Sequence, residues 1–250
     1  MLSKNILKAM LIILLSLMTF SQTGAQSFNA DLGADIVSSY VWRGLLVNQS
    51  PNIQPSISFN VSGLSFGFWG SYSLANKNST DDDYAFSSEI DTWVSYTQEI
   101  DGGMSITALV TDYYFPNAGI KFGNFNNYDD PEGPGAHTVE VGLSFAGPES
   151  LPFTISGFYN VHNDAGNNAY FQVDYSTIIS EVPIGLFVGA TTGSEENPGY
   201  YGTDSFNIIN VGLTVSKDIV VTEDFSIPAS TSFVYNPKAD NIYMVFGISL

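Results

Sequence analysis

The sequence predicts an all-β protein, an antiparallel transmembrane β-barrel of about twelve strands with its N- and C-termini on the periplasmic side. Three observations lead there. Apolar residues recur at every second position in segment after segment, the connections between those segments alternate between long and short, and residues 241–250 carry one unbroken apolar face.

The chain opens with Lys4 and Lys8 and no acid, runs through the apolar stretch Leu11–Phe20, and reaches Thr23 and Ala25. A positive start, a short apolar core and small residues at its end describe a secretory signal segment. Residues 1–25 are therefore read as a leader and 26–250 as the barrel domain. The apolar stretch is shorter than the ~20 residues a membrane-spanning helix needs.

Beyond Ala25 no window sustains a helical period. In Asn241–Leu250, Ile242, Met244, Phe246, Ile248 and Leu250 share one face, with small or polar residues and Tyr243 and Val245 on the other. In His137–Phe145, Val139, Val141, Leu143 and Phe145 oppose Thr138, Glu140, Gly142 and Ser144. Leu64–Leu74 sets Phe66, Phe68 and Tyr72 against Gly67, Trp69 and Ser71. A carboxylate such as Glu140 in mid-strand is costly in a dry sandwich core, whereas a wet lumen tolerates it.

The same reading places strands near 27–43, 51–61, 64–75, 84–99, 103–115, 136–146, 152–162, 168–177, 183–192, 205–217, 224–235 and 241–250. Twelve is an even number, as single-chain bacterial barrels require. Odd-numbered connections at 44–50, 76–83, 116–135, 163–167, 192–204 and 236–240 are mostly long, polar or acidic. Even-numbered ones at Ser62-Gly63, Asp101–Gly103, Gly147–Ser150, Glu181 and 217–223 are mostly shorter. Long outer loops and short periplasmic turns give this alternation. A secreted β-sandwich accounts for neither the loop asymmetry nor the terminal strand. That strand, 241–250, is the segment expected to engage the barrel-insertion machinery, although it ends in Leu250 and not in an aromatic residue.

Removing Lys4 and Lys8 from seven basic residues leaves five against 25 acidic ones. Nucleic acid and anionic membrane surfaces reward clustered Lys and Arg, so neither is an expected partner. With no cysteine, disulfides and thiolate metal ligation are unavailable. Asp81-Asp82-Asp83 and Asp129-Asp130-Pro131-Glu132 lack the spaced ligands of a calcium loop and read as solvated loop acid. His137 and His162 are the only histidines, and no Gly-x-Ser-x-Gly element accompanies them. Neither an enzyme nor a cofactor is expected.

Arg43 is the only arginine in the protein. Alternation from Leu32, Ala34 and Ile36 puts Tyr40 and Trp42 outward, as an aromatic girdle at the lipid interface, and Arg43 inward. The ordered set Tyr40-Val41-Trp42-Arg43-Gly44, Gly67-Phe68-Trp69-Gly70-Ser71, Glu89-Ile90-Asp91 and Asp112-Tyr113-Tyr114-Phe115-Pro116, followed by the acid Glu140, resembles the TorF-type porin family over most of the mature chain. The resemblance implies an outer-membrane barrel and a diffusion channel, without a defined solute.

Inward positions are expected to collect Asp31, Asp35, Arg43, Glu89, Asp91, Asp112, Glu140 and Asp174. One guanidinium among carboxylates can fix the wall of a constriction through paired hydrogen bonds. The remaining acids would favour cations and neutral polar solutes over anions. The function expected is therefore passive diffusion of small solutes across the bacterial outer membrane, with outer-membrane lipid around the barrel. The alternative is a closed barrel acting in adhesion through its acidic outer loops.

Overall fold

Among the described residues period-two alternation produces fourteen strands, of which twelve close into a barrel. The computed structural model describes residues 28–81, 83–193, 195–196 and 199–250. The expected leader, 1–25, lies outside the described residues. The strands are β1 (Phe28–Val37), β2 (Tyr40–Trp42), β3 (Leu45–Asn48), β4 (Asn52–Val61), β5 (Leu64–Ser73), β6 (Ser88–Ile100) and β7 (Met104–Tyr114). They continue with β8 (His137–Ala146), β9 (Phe153–His162), β10 (Ala169–Ile179), β11 (Val182–Thr191), β12 (Asn207–Thr222), β13 (Phe225–Asn236) and β14 (Asn241–Ser249).

From β4 to β14 each strand pairs antiparallel with the next, and β1 joins β4 to β14 to close the barrel. The seam is uneven: β1 pairs with β4 along its whole length but with β14 only from Asp35 to Val37. Backbone bonds between Ala34 and Leu250, at 3.2 and 2.9 Å, extend it by one step.

Among the described residues, Phe28 and Leu250 lie at the same end of the barrel as the short turns. Two of these turns, Ser62-Gly63 and Ser180-Glu181, hold both residues at positive φ. That backbone follows the right-handed twist of the strands it joins. The connection expected at 217–223 is instead strand: β12 runs to Thr222 and turns at Glu223-Asp224. The β-branched run Ile219-Val220-Val221 continues the ladder past the polar pair Lys217-Asp218, which the sequence reading took for a turn.

The pleat sends alternate side chains outward and inward. Leu32, Leu143, Ile242, Met244 and Phe246 are among the large apolar residues exposed on the outer face. The buried apolar cluster lies inside instead, where Tyr170, Tyr201 and Ile209 pack with Trp42, Leu45 and Phe158. At the end opposite Phe28 and Leu250, 3₁₀ turns at Tyr84–Ser87, Pro116–Ala118 and Gly199–Tyr201 shape the longer loops.

The first expected strand, 27–43, is divided. β1 ends at Val37, the chain bends at Ser38-Ser39, and β2 and β3 form a separate two-stranded hairpin. Ser38 marks the break: its N–H donates to the Phe246 carbonyl, and its Oγ accepts from the Phe246 N–H at 3.0 Å.

Candidate functional site

Arg43 and Gly44 are the two central residues of the β2–β3 turn, with φ of 48° and 80°, and Trp42 pairs with Leu45 across it. A two-residue turn with positive φ at both positions makes a tight hairpin. The backbone of its tip rests on β12 and β13, while the Arg43 side chain crosses the lumen to β8, β9 and β10. Asn236 on β13 donates to the Gly44 carbonyl at 3.0 Å, and a Cβ on Gly44 would overlap the Ile209 carbonyl of β12. At the base, the Asn48 side chain accepts from the Ser50 N–H at 2.9 Å and donates to the Phe86 carbonyl at 3.3 Å.

Arg43 is enclosed on every side. Its Nη1 donates to Glu140 Oε2 at 2.5 Å and to the Tyr201 hydroxyl oxygen at 2.6 Å, while Nη2 donates to Glu140 Oε1 at 2.8 Å. Tyr113 donates to the same Oε1 at 3.0 Å. The guanidinium carbon lies 4.4, 4.3 and 4.5 Å from the ring centres of Trp42, Phe158 and Tyr170, within cation–π range. The pair is thus bidentate, screened from water and fully hydrogen-bonded on Glu140, the conditions under which a buried ion pair holds. A register shift at Val139/Glu140 in the β8–β9 ladder lies beside the carboxylate, and another at Gly189/Ala190 adjoins Ile209. Such bulges bend a strand locally and re-aim its side chains.

The loop after β11 folds over this pair. Tyr201 stacks on Trp42 and Tyr170 with ring centres 5.6 and 5.7 Å apart. Burial pushes its phenol, and that of Tyr200 against the other edge of Trp42, above the usual range, so the Tyr201 ring stays neutral beside the guanidinium. Farther out, Lys238 donates to Asp204 at 3.0 Å and holds that exposed carboxyl below the usual carboxylate range.

The placement of Tyr40 and Trp42 corrects the sequence reading. Both lie in the lumen: Tyr40 is buried against Trp69 at 5.5 Å, and Trp42 meets Tyr113 and Tyr200 edge to face. Alternation holds only while a strand continues, and the bend at Ser38-Ser39 breaks the count, so Tyr40 and Trp42 do not share the outward face of Leu32, Ala34 and Ile36. The available signal is Gly44 itself, set between the apolar runs Val41-Trp42 and Leu45-Leu46-Val47, which marks a tight turn.

Asp112 is the second correction. Tyr113 points inward to Glu140, so Asp112 faces outward, where His137 Nδ1 lies 2.8 Å from its Oδ2. Nε2 of the fully buried His137 donates to the Phe122 carbonyl at 2.6 Å, a group that can only accept. Phe125 stacks on the imidazole at 4.0 Å. The 116–135 loop therefore folds back over the outside of the wall and covers a carboxylate that an uncovered outer face could not hold. His137→Ala is expected to leave two polar groups without partners and to cost about 2–3 kcal/mol. Tryptic cleavage at the exposed Lys121 should then become faster, and an unchanged rate would contradict the roof.

The remaining predicted acids lie on inner-face positions. Asp31 accepts from Asn29 and Asn60 at 3.0 and 2.8 Å, and Asp35 from Ser249 at 2.6 Å, both toward the end with the chain termini. Asp174 accepts from Gln172 at 2.8 Å. Glu89 and Asp91 are buried on β6, two residues apart on the same face, and Glu89 Oε2 and Asp91 Oδ1 have no hydrogen-bond partner among the described residues. The hairpin separates the lumen into spaces on either side of its tip. One of 480 Å³ is lined by Tyr40, Trp42, Trp69, Asp91 and Trp93, and one of 380 Å³ by Arg43, Phe158, Gln172 and Asn210.

Fold and site together define a closed twelve-stranded antiparallel barrel with acidic inner-face groups and an inward hairpin held by a buried arginine. Residues 21–239 match the family described as bacterial protein of unknown function (Gcw_chp), and the chain belongs to that family. No curated protein matches it.

Proposed function

We propose that this protein is an outer-membrane barrel that passes small solutes, cations and neutral polar molecules before anions, through a lumen narrowed by the Arg43 hairpin. The single observation that carries this reading is the charge of the lumen. Glu89, Asp91, Asp174, Asp31 and Asp35 face inward, while the only arginine is already matched by Glu140. Carboxylate-lined pores favour cations.

Membrane insertion is supported by the apolar outer face, and by barrel strands of nine to sixteen residues, long enough to cross a bilayer when tilted. Periplasmic termini agree with the short turns at that end, and the apolar face of β14 suits recognition by insertion machinery. The resemblance to TorF-type porins points the same way. The test is reconstitution in planar bilayers with ion substitution. The wild-type protein should give small, cation-selective steps; anion selectivity would overturn the proposal.

A second reading, a closed barrel acting through its outer loops, is favoured by the filling of the lumen around Arg43. It predicts no conductance from the wild type or from a variant with the hairpin released.

A further inference from the structure

The two unpartnered carboxyl oxygens on β6 adjoin two different cavities. Glu89 lines a space of 160 Å³ on the outer side of the hairpin, whose other walls include Tyr40, Trp42, Phe86, Tyr113 and Tyr200. Asp91 lines the 480 Å³ chamber, which shares Tyr40, Trp42 and Tyr113 with the outer pocket. Glu89 and Asp91 are 4% and 8% exposed, so neither carboxyl is satisfied by bulk water. Buried like charges without a counter-charge are costly, and a positively charged guest removes that cost.

The walls select the kind of cation. A hard metal ion needs several oxygen ligands, whereas this pocket presents mainly ring faces and aliphatic side chains around one carboxylate. Aromatic faces beside a carboxylate suit an ammonium group carried on an apolar body. The size agrees: an apolar cavity of about 150 Å³ holds a benzene ring.

We propose that the outer pocket between Glu89 and the Tyr40–Trp42 edge of the hairpin binds a small organic ammonium ion with an apolar body. Asp91, one step deeper on the same face of β6, is the next carboxylate such a guest meets. The inference rests on the channel reading for its role in uptake, but binding is measured without conduction.

The probe is benzylammonium, titrated into the full barrel in detergent. Tryptophan emission reports on it, because Trp42 lines both cavities and Trp69 and Trp93 line the inner one. Saturable quenching is expected, with calorimetry giving the same affinity. Glu89→Gln, which keeps the shape and removes the charge, should weaken benzylammonium at least tenfold and leave the neutral isostere benzyl alcohol unchanged. Tyr200→Leu, in a loop outside the barrel wall, should weaken it about fivefold by removing one ring face.

Equal affinities for benzylammonium and benzyl alcohol, no effect of Glu89→Gln in a folded barrel, or no saturable quenching would each overturn the site. Binding without conductance would reject the channel and retain the site. Cation conductance without binding would do the reverse.

Discussion

Arg43→Ala should lower the unfolding free energy of the refolded barrel by about 3–5 kcal/mol, the usual cost of leaving one member of a buried ion pair without its partner. Glu140 would be the stranded group: it is 3% exposed, and only the Tyr113 hydroxyl would still donate to it. The effect extends beyond one bond, because the guanidinium also sits against three rings and the Tyr201 hydroxyl. Urea titration in detergent reads the stability, and hydrogen exchange over 40–48 reads the release of the hairpin. The double variant Arg43→Met with Glu140→Leu should recover most of the loss, since a buried pair replaced by apolar residues leaves no stranded charge. Arg43→Lys should fall between, keeping the charge without the fork that matches a carboxylate. A loss below about 1 kcal/mol for Arg43→Ala would mean that the pair behaves as a solvated surface bridge.

Gly44→Ala carries the second large effect. The residue has φ of 80°, a conformation that costs an L side chain roughly 1–2 kcal/mol. The added Cβ would also overlap the Ile209 carbonyl oxygen and lie 2.8 Å from its carbon, and both are backbone atoms at the β12 bulge, flanked by paired residues on either side, so no side-chain rotation relieves the overlap. The hairpin must then retreat from the wall, at a total cost of about 2–4 kcal/mol. Single-channel conductance should rise several-fold as the tip leaves the lumen. Gly185→Ala, where a Cβ meets nothing within 4 Å, is the neutral control. Because both substitutions free the same hairpin, Arg43→Ala and Gly44→Ala should be clearly sub-additive in stability. Full additivity would show that the arginine and the turn act independently.

Particular residues show where the sequence is sufficient. Ile242, Met244 and Phe246 lie outward on β14, and Glu140 lies inward on β8, as counting by twos requires. The same counting carried across Ser38-Ser39 put Tyr40 and Trp42 on the wrong face. Asp112 shows the opposite failure. Counting by twos from Ile106, Ala108 and Val110 puts it outward, although the sequence reading groups it with the inward acids. The carboxylate is satisfied outside by His137, 25 residues later in the chain, under a loop whose path no local pattern encodes.

By itself the sequence determined the twelve-stranded antiparallel barrel and most of its inward and outward positions, though not those of Tyr40, Trp42 and Asp112. These follow from the two-residue repeat of the pleat, a local property that survives wherever the strand continues. Only the tertiary structure decided that the segment after β1 turns into the lumen, that Arg43 meets Glu140, and that Asp112 is roofed from outside. Those outcomes depend on contacts between groups 97 residues apart for Arg43 and Glu140 and 158 apart for Arg43 and Tyr201. Such pairings exist only once the closed wall brings β8, β9 and β10 opposite the point where the hairpin enters.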